Sequence, residues 1–212
     1  MPNRGLLLTI TEPRAELEEE FNAWYDDEHL PERLAIPGFI AARRWQADLG
    51  PLQGKYLANY ELTSPAVLES PEYLAHFGEF ATPWTRRMLG KAAVFRRWAC
   101  EQILPGSALP DPTARALYLA CGDAPKEHEQ EFNRWYDEEH IPLLAAVPGV
   151  LGARRFRASS GTPRYIALYE LEHERVPEHP QWQQATRTEW AQRIDALTAG
   201  CEWILRVYRA YH

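Results

Sequence analysis

Cysteine is scarce in this chain of 212 residues, with Cys100, Cys121 and Cys201 the only ones. Three is an odd number, the positions lie far apart, and they form neither Cys-x-x-Cys nor any metal-ligand spacing. A disulfide framework and a cysteine metal site are therefore excluded, and the thiols read as reduced, structural groups of a cytoplasmic protein. Long apolar runs are missing too. The N-terminal run is about five residues, short of a secretory signal's apolar region, and nothing approaches the roughly 20 residues of a spanning helix. No membrane partner is expected. Positive charge is in deficit: 23 Lys and Arg stand against 30 Asp and Glu, for a net charge of -7. That sign is wrong for neutralising phosphates, so no nucleic-acid partner is expected. A Gly-rich phosphate loop, a GxSxG elbow and an HExxH pair are also absent. The expectation is a protein with no cofactor and no metal.

What is present is aromatic and repetitive. Aromatic residues make up 12% and hydrophobic residues 45% of the chain, enough to fill a core and to exclude disorder as the main state. Glu20-Phe-Asn-Ala-Trp-Tyr-Asp-Asp-Glu-His-Leu-Pro31 returns as Glu131-Phe-Asn-Arg-Trp-Tyr-Asp-Glu-Glu-His-Ile-Pro142, an offset of 111, with 15 identities over the 26 positions from Glu20 to Trp45. Pro37-Gly38 returns as Pro148-Gly149, and Tyr56, Ala58, Tyr60, Glu61 and Leu62 return as Tyr165, Ala167, Tyr169, Glu170 and Leu171. Ser70-Pro71 and Thr82-Pro-Trp84 align with His179-Pro180 and Thr188-Glu-Trp190 after short slips. A fixed long-range period marks a repeat architecture. Pro105, Pro110 and Pro112 mark the join. The expected division is a first repeat over residues 1–107, a linker over 108–113 and a second repeat over 114–212.

Each repeat carries the same elements. Arg4–Thr11 is a short apolar strand. Arg14–Ala35 has apolar positions at helical spacing, with Pro31 expected to bend or break it. Phe39–Ala47 and Lys55–Leu62 alternate at strand period, placing Phe39, Arg43 and Trp45 on one face with Arg44 opposite. Pro65–Leu89 is helical in pieces broken near Gly78 and Pro83, and Ala92–Leu104 is the last strand. The second half repeats this with strands near 114–121, 149–158, 164–171 and 201–210 and helices near 125–145 and 178–198. The order β-α-β-β-α-β, twice, is the ferredoxin-like split motif. The fold class expected is α+β: two tandem ferredoxin-like repeats packed sheet-to-sheet as an intramolecular α+β barrel.

The run Phe-Asn-x-Trp-Tyr-Asp-x-Glu-His-[Leu/Ile]-Pro, then Pro-Gly, Ala-Arg-Arg and Tyr-x-Ala-x-Tyr-Glu-Leu, resembles the EthD-like branch of the dimeric α+β barrel superfamily. The resemblance covers both halves. It implies a pocket between the sheet and helices of each half. It also implies a choice of chemistry: isomerases, cyclases and decarboxylases, cofactor-free monooxygenases, and haem enzymes such as chlorite dismutases.

His29 and His140 lead the candidate catalytic residues. Each stands four residues after a tyrosine, Tyr25 or Tyr136, so His and Tyr share a helix face, and imidazole titrates near neutrality. The alternative is that each merely caps the bend of its helix. The acidic cluster beside each His points around the helix rather than to one point, so a solvated face accounts for it better than a metal. One arginine of each Arg-Arg pair must point inward. Arg43 and Arg154 then either bind an anionic substrate or pair with Glu61, Glu170 or the helix carboxylates. Tyr60 and Tyr169 are placed to donate to an oxyanion. Tyr25, Tyr136, Trp84 and Trp190 offer aromatic surface for a ligand, or plain core. Asn59 and His76 stand opposite Leu168 and Ala185 and so favour the first half as the working one.

The reading that follows is a cofactor-independent lyase, isomerase or cyclase. It would act on a small hydrophobic, aromatic or carbonyl-bearing molecule, with a helix histidine removing a proton beside the carbonyl. A non-catalytic binding module, a haem-binding or monooxygenase protein, and a structural subunit remain as alternatives. The chain is expected as a monomer or homodimer.

Overall fold

The computed structural model describes residues 3–211. Two compact units divide it, one of residues 3–102 with 159–161 and 211, the other of 103–158 with 162–210. The first unit contains β1 (Gly5–Glu12), α1 (Glu18–Trp24), α2 (Leu30–Leu34), β2 (Phe39–Gln46), β3 (Tyr56–Leu62), α3 (Pro71–Leu74), α4 (Pro83–Gly90) and most of β4 (Val94–Leu104). The second contains β5 (Ala116–Gly122), α5 (Glu129–Trp135), α6 (Ile141–Ala145), β6 (Val150–Ser160), β7 (Tyr165–Leu171), α7 (Pro180–Ala185), α8 (Glu189–Leu197) and β8 (Trp203–Ala210). The strands hydrogen-bond as a closed barrel in the order β1-β3-β2-β8-β5-β7-β6-β4.

Each unit is built by the same physics. β1 lies antiparallel between β3 and β4, with Leu7 opposite Tyr60 and Ala99. β5 lies in the same way between β7 and β8, with Tyr118 opposite Tyr169 and Val207. One face of β3, Tyr56, Ala58, Tyr60 and Leu62, takes the aromatic face of the first helix, Phe21, Trp24 and Tyr25. In the second unit Phe132, Trp135 and Tyr136 meet Tyr165, Ala167, Tyr169 and Leu171. Pro37-Gly38 and Pro148-Gly149 stop the helix before the next strand. Gly38 has φ +96° and Gly149 φ +88°, a conformation that glycine reaches without steric strain.

Two local expectations are corrected. The first concerns Pro31 and Pro142. Between α1 and α2, and between α5 and α6, the backbone passes through a π-helical turn, Tyr25–His29 and Tyr136–His140. The helix therefore runs on past each proline. The widened turn ends two residues before the proline, which has no N–H to donate and whose ring would crowd an ordinary turn.

The second concerns Phe39. A β-bulge shifts the register between Phe39 and Ala41, and another lies between Val150 and Gly152. The extra residue resets the alternation. Phe39 joins the helix-side core with Arg44 rather than sharing a face with Arg43 and Trp45.

Candidate functional site

The recurring helix signature is largely an arginine clamp. In the first unit Arg44 donates to Asp26 Oδ1 at 2.7 Å and to Asn22 Oδ1 at 2.5 Å. Its guanidinium lies over Tyr25 at 4.3 Å and Tyr211 at 4.1 Å. In the second, Arg155 donates to Asp137 at 3.1 Å and Asn133 at 2.6 Å, over Tyr136 at 4.1 Å. The signature Asn and Asp thus hold the second arginine of Arg-Arg, and the Tyr lies beneath it, the stacked and forked geometry that suits guanidinium. The signature Glu has its own task. Glu28 accepts from Thr82 Oγ1 and Glu139 from Thr188 Oγ1, each at 2.5 Å, tying the first helix to the N-cap of α4 or α8.

His29 and His140 are buried beside these clamps. His29 packs on Trp24 at 4.3 Å and edge-on to Tyr25 at 5.2 Å. His140 packs on Trp135 at 4.1 Å and Tyr136 at 5.1 Å. The π turn is what sets Trp and His, five residues apart, ring against ring. Burial, with Arg33 and Arg44 nearby, lowers His29 to a pKa of about 3. Burial, with Arg155 nearby, does the same to His140, also to about 3. Both imidazoles are therefore neutral at physiological pH, and Nδ1 of each is buried with no hydrogen-bond partner. The hydroxyl of Tyr169 is likewise buried and unpartnered, and that of Tyr60 is buried beside the Tyr25 hydroxyl. Their rings meet the histidines edge-on at 6.3 and 6.5 Å, and burial raises both phenols well above their ordinary pKa.

The remaining predicted residues are not gathered there. Arg154 pairs with Glu170 at 2.8 Å, both almost fully buried, beside Phe156. Arg43 lies over Trp45 at 4.5 Å. Asn59 accepts from Trp45 Nε1 at 2.6 Å and donates to Glu61 at 2.9 Å. All these groups belong to the strand face turned away from the histidines. His76 Nδ1 sits 2.8 Å from Glu32, and its carbonyl accepts from Arg33. Trp84 and Trp190 pack at the margins of their cores, Trp190 close to Arg134 and Arg193.

A cavity of about 620 Å³ opens in the second unit, between the strands and α5–α8. Its walls are aromatic: Tyr118, Trp135, Tyr136, Trp182 and Trp203. Leu144, Ala191 and Leu205 add apolar surface, and His140, Gln183 and Asp195 add polar groups. Trp203 lies flat against Gly122, where a Cβ would meet its ring at 2.4 Å. Burial raises the pKa of both Tyr118 and Asp195.

The repeat explains why space opens here. In alignment, Leu144 replaces Arg33, Thr186 replaces Phe77, and Leu205 replaces Arg97. In the first unit those bulkier groups converge on Tyr73: Arg33 lies over its ring at 5.3 Å, Phe77 stacks on it at 5.5 Å, and Arg97 donates to its hydroxyl at 3.1 Å. Of the residues singled out from sequence as catalytic or substrate-binding, His140 and Tyr136 line the cavity. Tyr118, Trp182, Asp195 and Trp203 were missed. Their signal was available as differences between the halves, such as Leu7 against Tyr118 and Leu89 against Asp195.

Among the described residues no group of three or more His, Cys, Asp or Glu is placed to hold a metal ion, and no helix is long and apolar enough to cross a membrane. Among the described residues no disulfide joins the cysteines: Cys100 and Cys121 are buried and Cys201 is half-buried.

The architecture is that of the dimeric α+β barrels, here with all eight strands from one chain. No family model and no curated protein matches the sequence. Solved structures do resemble the fold. An anthrone oxidase-like protein is 15% identical with a TM-score of 0.66, over 100% of this chain and 92% of that one. A candidate monooxygenase from Fusobacterium nucleatum is 8% identical with a TM-score of 0.64, over 100% and 94%. Chlorite dismutase from Candidatus Nitrospira defluvii, solved with imidazole, is 9% identical with a TM-score of 0.60, over 99% and 91%.

Proposed function

We propose that this chain is a small-molecule enzyme of the EthD-like kind, working without a bound cofactor on a flat, hydrophobic, carbonyl-bearing compound in the second-unit cavity. The observation that carries this reading is a single one. A neutral imidazole, His140, lines an aromatic-walled cavity of about 620 Å³ with no hydrogen bond committing its Nδ1 elsewhere. A pocket of this size and lining suits a ligand of a few fused rings. A neutral imidazole can accept a proton, and the negative charge developing on a bound ligand beside it would offset the burial that holds its pKa down. Removal of a proton from the carbon beside the carbonyl leaves an enolate and an imidazolium. Return of that proton to another carbon completes an isomerisation; attack of the enolate carbon on a second carbonyl carbon of the same molecule breaks that C=O π bond, and the resulting alkoxide takes the proton from the imidazolium, which completes a cyclisation, neither with a change of oxidation state.

The same first step opens the monooxygenase reading, which the names of the fold neighbours favour. Anthrone plus O2 would give anthraquinone plus water, with O2 as the oxidant. Haem fits the cavity poorly. Haem carries two propionates, and no lysine or arginine is among the lining residues.

Deuterium exchange tests the proton step. Anthrone and 2-acetonaphthone are incubated with the protein in D2O, and loss of the proton signal beside the carbonyl is followed by NMR. Exchange is expected to exceed the buffer rate, to vanish in His140→Gln and to persist in His29→Gln. Equal exchange in wild type and His140→Gln would overturn the assignment. An oxygen electrode run on anthrone in parallel separates the two readings.

A further inference from the structure

Trp24 and Trp135 hold the same place in the two repeats, but their indole N–H groups do not share a fate. Trp24 Nε1 donates to the Thr85 hydroxyl at 3.0 Å in the core of the first unit. Its counterpart Trp135 is 4% exposed, and its Nε1 is buried with no hydrogen-bond partner. The cause is one residue. Ala191 stands where Thr85 stands, as the N-caps confirm. Thr82 Oγ1 accepts from the Thr85 N–H and Thr188 Oγ1 from the Ala191 N–H, both at 3.0 Å.

A buried donor with nothing to donate to is rare and unfavourable. Trp135 and Ala191 both line the cavity, so the place that a threonine hydroxyl would fill belongs to the ligand. The charged groups narrow the chemistry further. Asp195 is the one ordinarily charged side chain on the lining, and His140 is neutral. Arg155 lies behind Tyr136 and is 1% exposed, and Arg187 is off the lining with a guanidinium nitrogen donating to Gln183 Oε1 at 3.0 Å. An anionic ligand would find a carboxylate and no cation.

We propose that the cavity selects an uncharged aromatic ketone or quinone-like compound whose oxygen accepts from Trp135 Nε1, in the place that the Thr85 hydroxyl takes beside Trp24, and that Ala191 determines this specificity. This rests on the cavity being the substrate site. Ala191 acts by omission: it leaves the indole free for the ligand's oxygen.

Three naphthalene probes of nearly one shape test the idea: 2-acetonaphthone, 2-isopropenylnaphthalene and 2-naphthoate. Each is titrated against the full chain by quenching of tryptophan fluorescence. The ketone is expected to bind roughly fivefold or more tighter than the hydrocarbon, the effect of one net hydrogen bond, and the carboxylate weakest of all. Ala191→Thr supplies the hydroxyl seen in the first unit, and the ketone's advantage should then fall to about one. Ala191→Val has the same shape without the hydroxyl and should keep the advantage.

Equal affinity for ketone and hydrocarbon in the wild type would overturn the proposal while leaving the cavity a ligand site. An unchanged ratio in Ala191→Thr would do the same. Failure of all three probes to bind would overturn the cavity reading as well. A readout on the unaltered chain is the indole 1H–15N resonance of Trp135, with Trp135→Phe used only to assign it by its loss. It should move downfield with the ketone and stay in place with the hydrocarbon.

Discussion

Arg154 and Glu170 form an ion pair at 2.8 Å with side chains only 2% and 1% exposed. The guanidinium donates twice to the same carboxylate oxygen, from Nε at 3.0 Å and from an Nη at 2.8 Å. The sequence left Arg154 open between gripping substrate and pairing with a strand carboxylate. The pair stands on the strand face away from His140. Removing one member of a buried pair strands the other charge and costs about 3–5 kcal/mol, whereas apolar replacement of both is often neutral. Glu170→Ala is therefore expected to lower the urea midpoint sharply, and Arg154→Met with Glu170→Leu to recover most of the loss. Equal midpoints for Glu170→Ala and wild type would show the pair to be energetically idle.

The histidines set the acid behaviour of the chain. Each titrates near 6.5 when unfolded and near 3 when folded. Between these values the unfolded state binds the proton and the folded state does not. Stability conferred by the neutral buried rings is thus full above pH 6.5 and falls as pH drops towards 3, at up to about 1.4 kcal/mol per pH unit for each ring. Denaturation midpoints at pH 7, 6, 5 and 4 should fall progressively, and the fall should be shallower in His29→Phe. The acid limb of kcat/KM should lie below pH 5. A limb near 6.5 would mean that the working histidine is solvated.

Thr85→Ala copies the second repeat into the first. It removes the hydroxyl that Trp24 Nε1 needs and leaves a buried donor unpaired, a loss of about 1–3 kcal/mol. Thermal unfolding should move to lower temperature, with no change in ligand affinity at the cavity. A change in affinity there would mean that the first unit contributes to binding.

Gly122 supports Trp203 from beneath. A Cβ at this residue would stand 2.4 Å from the ring, and its counterpart in the first repeat is Thr11. Gly122→Ala is expected to push the indole into the cavity and to weaken binding of 2-acetonaphthone severalfold while the protein stays folded. Unaltered affinity would place the ligand away from Trp203.

The architecture was legible in the sequence because its signals are long. The repeated Phe-Asn-x-Trp-Tyr-Asp-x-Glu-His run and the alternation of Tyr56, Ala58, Tyr60 and Leu62 both survive averaging over many residues. What escaped rests on single residues. A bulge of one residue at Phe39–Ala41 reverses the face of everything before it, and a periodicity argument assumes that no such slip occurs. The site escaped for a related reason. The repeat signature marks what the halves share, His29 with His140 and Tyr60 with Tyr169, whereas the cavity comes from what they do not share: Arg33 against Leu144, Thr85 against Ala191. Conserved likeness between the halves reported the clamp, and the clamp is mainly structural.

The widened turn at Tyr25–His29 and Tyr136–His140 amounts to a phase correction. Side chains four apart on an ordinary helix creep sideways by about 40° per step, since each residue advances about 100°. Phe21, Tyr25, His29 and Arg33, or Phe132, Tyr136, His140 and Leu144, would wind off the sheet within three steps. All eight are nonetheless buried. The surplus residue in the turn takes up the drift and keeps the series on one line. Deleting a single residue there, Asp27 or Glu138, would leave the composition almost untouched and still rotate the histidine and everything after it out of alignment with the aromatics before it.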